Sequence, residues 1–231
     1  MRRGALPALN LPPAASDGQT VVAAFDFDGT LTRGDTLLPF LRLLLGWPGL
    51  LWALLRCAPW LLAYALRLTS NHRAKARLLR VCLRGRGVAE LQALALAFVT
   101  DPLARQWRID ALERLRQHQR DGHRCVIVSA SPEIYLRAAA DHLGVADLLC
   151  TRLEVRDGRL SGEMLGVNCH GEEKLRRLRA WLSQALPGVQ AVTLYAYGDS
   201  PGDLALLGEA HYAFYRGRPW ARPDSIGSGV R

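Results

Sequence analysis

The chain has 231 residues, 49% hydrophobic and 22% charged, enough to bury one core of ordinary size or a core carrying an insertion. Five cysteines (Cys57, Cys82, Cys125, Cys150, Cys169) without any C-x-x-C spacing exclude a disulfide framework and a zinc cluster, and suit a reducing compartment. A net charge of +9 suits acidic lipid headgroups, nucleic acid or a phosphorylated substrate, but no recognition helix, RNP segment or zinc finger accompanies it, so nucleic acid is not expected as a partner.

The first twenty residues hold an arginine pair, yet prolines break every apolar step, so the signal-peptide core of roughly 7 to 15 residues is missing and a disordered lead on the cytoplasmic side is expected over 1–20. Val21 to Phe27 reads as a buried strand, whose alternation would aim Asp26 and Asp28 the same way at its carboxyl end. Next comes a greasy run, Leu37 to Thr69, with three charges only: Arg42, Arg56 and Arg67. Its longest uncharged stretch, Leu43 to Leu55, is 13 residues with Pro48 inside. That is short of the roughly 18 to 20 that a membrane span needs. Two short helices lying in a membrane interface are expected instead, with Trp47, Trp52 and Trp60 at headgroup level; a buried cap pair or a dimer contact is the alternative.

From Ala111 onward, helical and apolar segments alternate as in a parallel sheet. The helix Ala111 to Gly122 leads into the strand RCVIVSAS. PEIYLRAAADHLG is helical, DLLCTRLEV a strand and RDGRLSGEML a hairpin turn with its return. GEEKLRRLRAWLSQAL is an amphipathic helix, VTLYAYGDS a strand, PGDLALLGEA a short helix and HYAFYR a last edge strand. The fold class is therefore α/β, and polar residues at adjacent strand ends should converge on one crevice.

Those strand ends carry Asp26, Asp28, Ser129 and Asp199, with Asp203 one turn further on. Carboxylates brought together need a cation, and an all-oxygen set suits Mg²⁺. Of 30 basic residues 28 are arginine, so Lys75 and Lys174 stand out. Lys174 at a helix start and the Ser129 hydroxyl are donors of the kind that hold phosphate oxygens. Ser131 and Ser200, each before a proline, read as helix caps. Carboxylates, Mg²⁺, lysine and hydroxyl together describe phosphoryl transfer.

The ordered segments DFDGTLT, VIVSAS, GEEK and YGDSPGD resemble the four motifs of the haloacid dehalogenase superfamily, over about Val21 to Arg216. The resemblance implies a Rossmann-like parallel-sheet core and a Mg²⁺-dependent phosphatase in which Asp26 is the nucleophile and Asp28 the general acid/base. It implies that Asp26, the Asp28 backbone carbonyl and Asp199 hold the metal with Asp203 in support. Ser129 and Lys174 would bind the phosphoryl group, and Gly29 and Thr30 would let the loop approach it. The long interval between Asp26 and Ser129 resembles the helical cap of the phosphoserine-phosphatase-like branch. That gives 21–35 and 111–216 as core, 36–110 as cap and 217–231 as a flexible basic tail.

Asp35 stands about where phosphoserine phosphatases place an acidic residue for the substrate amine, one methylene shorter than their usual glutamate. Gly202 stands where they usually have asparagine. The greasy cap is similar to that of the bacterial phosphatidylglycerophosphatase C type, with Arg73 and Lys75 as headgroup candidates. Three functions follow as expectations: a phosphatase of a lipid phosphate at the cytoplasmic face of the inner membrane, a soluble phosphatase of phosphoserine or another small phosphomonoester, and a non-enzymatic membrane-bound interaction protein. The intact Asp26, Asp28, Lys174 and Asp199 argue against the third. His170 reads as a turn residue.

Overall fold

The computed structural model describes residues 20–189 and 191–221; of the expected lead over 1–20, Thr20 instead opens the first strand and the rest lies outside them, as does the end of the tail. Parallel strands β1 (Thr20–Phe25), β2 (Arg124–Pro132), β3 (Asp147–Thr151), β6 (Val192–Gly198) and β7 (Tyr212–Tyr215) form the sheet, in the order β3-β2-β1-β6-β7. Strand β8 (Arg218–Trp220) adds to β7 antiparallel, so HYAFYR is not the edge, and three residues expected in the flexible tail are paired.

Period-two alternation sorts β1 between two cores. Val21, Ala23 and Phe25 enter one hydrophobic cluster, Val22 and Ala24 the other. Helices α4 (Ile109–Arg120) and α5 (Glu133–His142) feed the first cluster through Leu115 and Leu136. Helices α6 (Glu172–Ala185) and α7 (Leu204–Glu209) feed the second through Leu178 and Leu206. The expected single strand DLLCTRLEV is two. β3 ends at Thr151, and β4 (Leu153–Arg156) turns away to form a separate hairpin with β5 (Arg159–Met164).

Between β1 and α4 lie three cap helices, α1 (Leu37–Ala65), α2 (Asn71–Leu83) and α3 (Val88–Thr100). The segments entering and leaving this insertion run side by side: Thr32 bridges Trp107, Arg33 N–H donates to Gln106 at 2.8 Å and Arg108 N–H to Leu31 at 2.9 Å. Phe40 of α1 and Phe98 of α3 join the same cluster as Phe25, so cap and core share one interior. Helix α1 is broken at Gly46, whose backbone (φ 65, ψ 175) is not helical, and Pro48 follows. It is long and apolar enough to cross a membrane by length and composition, but only 28% of its most apolar window is buried, unlike a core helix. Trp47, Trp52 and Leu55 stand 60%, 57% and 73% exposed.

Candidate active site

Strand β1 ends at Phe25, two residues before the expected Phe27, and Asp26 N–H adds one more bond, to Tyr197 O at 2.9 Å. The chain then curls: the Phe27 carbonyl accepts the N–H groups of Thr30, Leu31 and Thr32, and Gly29 takes φ +80. A turn, not strand alternation, therefore places Asp28. A Cβ on Gly29 would lie 2.2 Å from Asp199 Oδ2, so this turn seats the loop directly against the end of β6.

Asp26 is buried beside Lys174 at the start of α6, which reaches Asp26 Oδ1 at 2.5 Å and Asp203 Oδ1 at 2.6 Å. Asp203 is wholly enclosed. Its Oδ2 accepts from the N–H groups of Asp199 and Ser200 and from the Ser200 hydroxyl at 2.8 Å, closing the expected capping box around Pro201–Asp203. The Thr30 hydroxyl lies 3.2 Å from Asp26 Oδ2 and 3.5 Å from Asp199 Oδ1. Oxygens of Asp26, Asp199 and Asp203 lie within 4.8 Å of one another.

On the neighbouring strand, β2 bulges between Ser129 and Pro132 where it pairs with β3. Ser129 Oγ accepts from Ser131 N–H at 3.0 Å. The expected Ser131 cap is absent: α5 starts at Glu133 and Pro132 flanks it in extended conformation. The bulge turns the Ser131 hydroxyl to Asp28 Oδ2 instead.

The family model described as haloacid dehalogenase-like hydrolase matches residues 23–208, which span the cap and every residue of this site. The chain belongs to the haloacid dehalogenase-like hydrolases. CicA of Caulobacter vibrioides is 37% identical to it over 205 residues, 87% of this chain and 89% of that one. The phosphoserine phosphatase SerB1 of Mycobacterium tuberculosis is 28% identical over 205 residues, 84% of this chain and 65% of that one. Among solved structures, a Bordetella pertussis protein of unknown function matches with TM-score 0.75 at 26% identity, covering 84% of this chain and 89% of its own. An apo phosphoserine phosphatase matches with TM-score 0.58 at 16% identity over 85% and 86% of the two chains, a likeness of fold. Phosphatases are thus among the relatives of this haloacid dehalogenase-like hydrolase.

In this haloacid dehalogenase-like site the electrostatics call for a cation. Burial, with Asp203 and Asp28 nearby, pushes Asp26 up to about 7 against the pull of Lys174. Burial and Asp203 also raise Asp199. Burial alone would lower Lys174, but Asp26 and Asp203 hold its ammonium above the usual lysine range. The donor set is all oxygen and hard, so the residues fit Mg²⁺. Asp203 spends both oxygens on Lys174 and on the 199–200 backbone, which suits support rather than ligation.

Thus Asp26, Asp28, Ser129, Lys174, Asp199, Asp203, Gly29 and Thr30 all lie at the carboxyl ends of β1, β2 and β6 or at the start of α6. The cap candidates separate. Lys75, on α2, donates to the Ala130 carbonyl at 2.7 Å, inside the crevice. Burial lowers its pKa, with Asp28 and Asp35 opposing. Asp35 is exposed and accepts the N–H of Leu38 at the start of α1, while Arg73 is exposed at the start of α2. Sequence reasoning missed Thr36 and Tyr135, and read His170 as a turn residue only. A Cβ on Gly202 would lie 2.6 Å from His170 Nε2, so this ring occupies the space beside the fourth motif that a side chain at 202 would need. Burial, then Lys174, lowers the His170 pKa. No spacing rule pairs His170 with Gly202, but the missing side chain at 202 was a signal that something else fills the gap.

Proposed function

We propose that this protein is a Mg²⁺-dependent phosphomonoester hydrolase that carries the phosphoryl group on Asp26. The observation that supports it best is the buried Lys174 bridging Asp26 and Asp203, with Asp199 alongside and Asp28 one turn away. In the first half, an Asp26 oxygen attacks phosphorus, the P–O bond to the alcohol breaks, and the alcohol oxygen takes the Asp28 proton. In the second, a water oxygen attacks phosphorus, its proton goes to Asp28, and the bond to Asp26 breaks to release phosphate. Burial, then Asp35, raises the Asp28 pKa, against the hydrogen bonds from Ser131 and Thr36 that favour its ionised form. Ser129 and Lys174 hold the phosphoryl oxygens. Asp26, Asp199 and the Asp28 carbonyl are the proposed Mg²⁺ ligands, and bound Mg²⁺ supplies charge that keeps Asp26 ionised and offsets the anionic phosphoryl group.

The proposed substrate is a lipid phosphate such as phosphatidylglycerophosphate, met at the cytoplasmic face of the inner membrane. Support comes from the exposed apolar side of α1, where Arg42 lies over Trp47 and Arg56 over Trp52, cations and aromatics together as an acidic lipid interface favours. A small phosphomonoester such as phosphoserine is the second reading, favoured by Lys75 reaching into the crevice rather than outward. Phosphate release from a panel of lipid and soluble esters, with and without Mg²⁺, tests both. Release that requires Mg²⁺ and is lost in Asp26→Asn by at least about 10³-fold is expected. An Asp26→Asn protein as active as the native one would end the covalent reading, and preference for a soluble ester without detergent would end the lipid one.

A further inference from the structure

Both oxygens of Asp28 are held by side chains that no phosphoryl role accounts for. Oδ1 accepts from the Thr36 N–H at 2.9 Å and the Thr36 hydroxyl at 2.5 Å. Oδ2 accepts from the Ser131 hydroxyl, which in turn accepts from Tyr135 OH at 2.8 Å. Tyr135 OH lies 3.1 Å from the Thr36 hydroxyl and closes the ring. Thr36, Ser131 and Tyr135 are all buried, although Asp28 itself is half-buried at the crevice. Three buried hydroxyls surrounding one carboxyl are costly to desolvate unless each finds a partner, and here each does.

The ring also joins the two parts of the chain. Thr36 immediately precedes α1 of the cap, and Tyr135 lies in α5 of the core. The Tyr135 ring packs at 4.8 Å from Phe40 and 5.7 Å from Phe98, both on cap helices.

We infer that Ser131, Tyr135 and Thr36 are positioning residues that fix the Asp28 carboxyl for proton transfer to the leaving alcohol. This rests on the proposed role of Asp28 and deepens it. A carboxyl gripped on both oxygens cannot rotate, so its proton is delivered from one place, and a displacement of about 1 Å can cost on the order of a hundredfold. The need for that proton depends on the ester. An alkoxide is a poor leaving group and requires it; p-nitrophenolate leaves without it.

The test is kcat/KM, which reports steps up to departure of the alcohol, for an alkyl phosphate and for p-nitrophenyl phosphate, in Ser131→Ala and Tyr135→Phe. General acid assistance contributes roughly 10²–10⁴-fold, so the alkyl ester should lose at least about tenfold more than the aryl ester. Equal losses on the two esters would mean a merely structural role and overturn the inference, as would no loss on either. Thr36→Val, which keeps shape but not the hydroxyl, against Thr36→Ser, which keeps the hydroxyl, repeats the comparison should Tyr135→Phe fail to fold. Thr36→Ser should restore the alkyl-to-aryl ratio. Hydrolysis by Asp26→Asn at the native rate would instead mark failure of the covalent reading itself.

Discussion

At the residue scale, the groups that carry charge were legible and the groups that hold them were not. Asp26, Lys174, Asp199 and Asp203 declare themselves by type, since a carboxylate or a rare lysine at a strand or helix end needs a reason to be there. Ser131 and Tyr135 do not, because a serine before proline already has an ordinary capping use and a tyrosine in an apolar helix face an ordinary packing one. Only the bulge in β2 reveals the other use. Gly29 lies between these cases: the motif makes it expected, and the fold gives the cause. Its φ of +80 disfavours any side chain, and a Cβ would press on Asp199 at 2.2 Å. Gly29→Ala should cost roughly 1–3 kcal/mol of stability and displace the Asp199 carboxylate. The expected outcome is a fall in kcat/KM of about a hundredfold in a protein that still folds. Denaturant unfolding and steady-state kinetics on the purified variant check it, and unchanged kinetics would mean that the loop does not set Asp199.

At the element scale, the order of strands and helices followed from periodicity, but the ends did not. β1 stops at Phe25 because the Phe27 carbonyl collects three N–H groups, a local turn that competes with the ladder. DLLCTRLEV divides at Arg152 because β3 continues the parallel sheet whereas β4 pairs with β5. Neither choice is written in a five-residue window. Helix α1 shows the same limit from the other side. Its apolar run was plain, and Gly46 breaks it in two, but the part from Trp47 to Ala65 is longer than the short helix expected, and composition could not say which side would stay uncovered. The exposed Trp47 and Trp52 fix that face. If it meets acidic lipid, the protein should co-sediment with vesicles containing phosphatidylglycerol more than with purely zwitterionic ones, and less so at high salt. Burying an aromatic side chain is worth about 1.5–3 kcal/mol, so Trp47→Ser with Trp52→Ser should weaken partitioning by at least about tenfold. Equal binding by the double variant, or none to either vesicle, would remove the membrane from the account.

For the whole molecule, stability and catalysis draw on one interior, and that interior contains a histidine that the sequence could not place. His118, on the inner face of α4, is 2% exposed; its Nε2 lies 2.8 Å from Tyr197 OH and its Nδ1 2.8 Å from His123 Nδ1. Tyr197 stacks on Phe25 at 4.4 Å and its carbonyl receives the Asp26 N–H, so the histidine sits directly behind the strand that leads to Asp26. Burial, reinforced by His123, lowers its pKa from 6.5 to about 4. Above about pH 6.5 the imidazole is neutral in both folded and unfolded chains and adds no slope to stability. As pH falls from there towards 4, the unfolded chain takes a proton that the folded chain refuses, so stability drops; below 4 both hold it and the slope ends. The shift corresponds to a loss on the order of 3 kcal/mol across that window. Carboxylates titrate in part of the same range, so the native curve alone does not isolate the histidine. His118→Gln does: it should be less stable at pH 7, where it forfeits the ring contacts, and should decline less steeply towards pH 4, so that the two stability curves converge. Urea unfolding at several pH values between 7 and 4 measures this directly, and curves that stay parallel throughout would show that His118 is protonated as readily in the folded protein as in the unfolded chain.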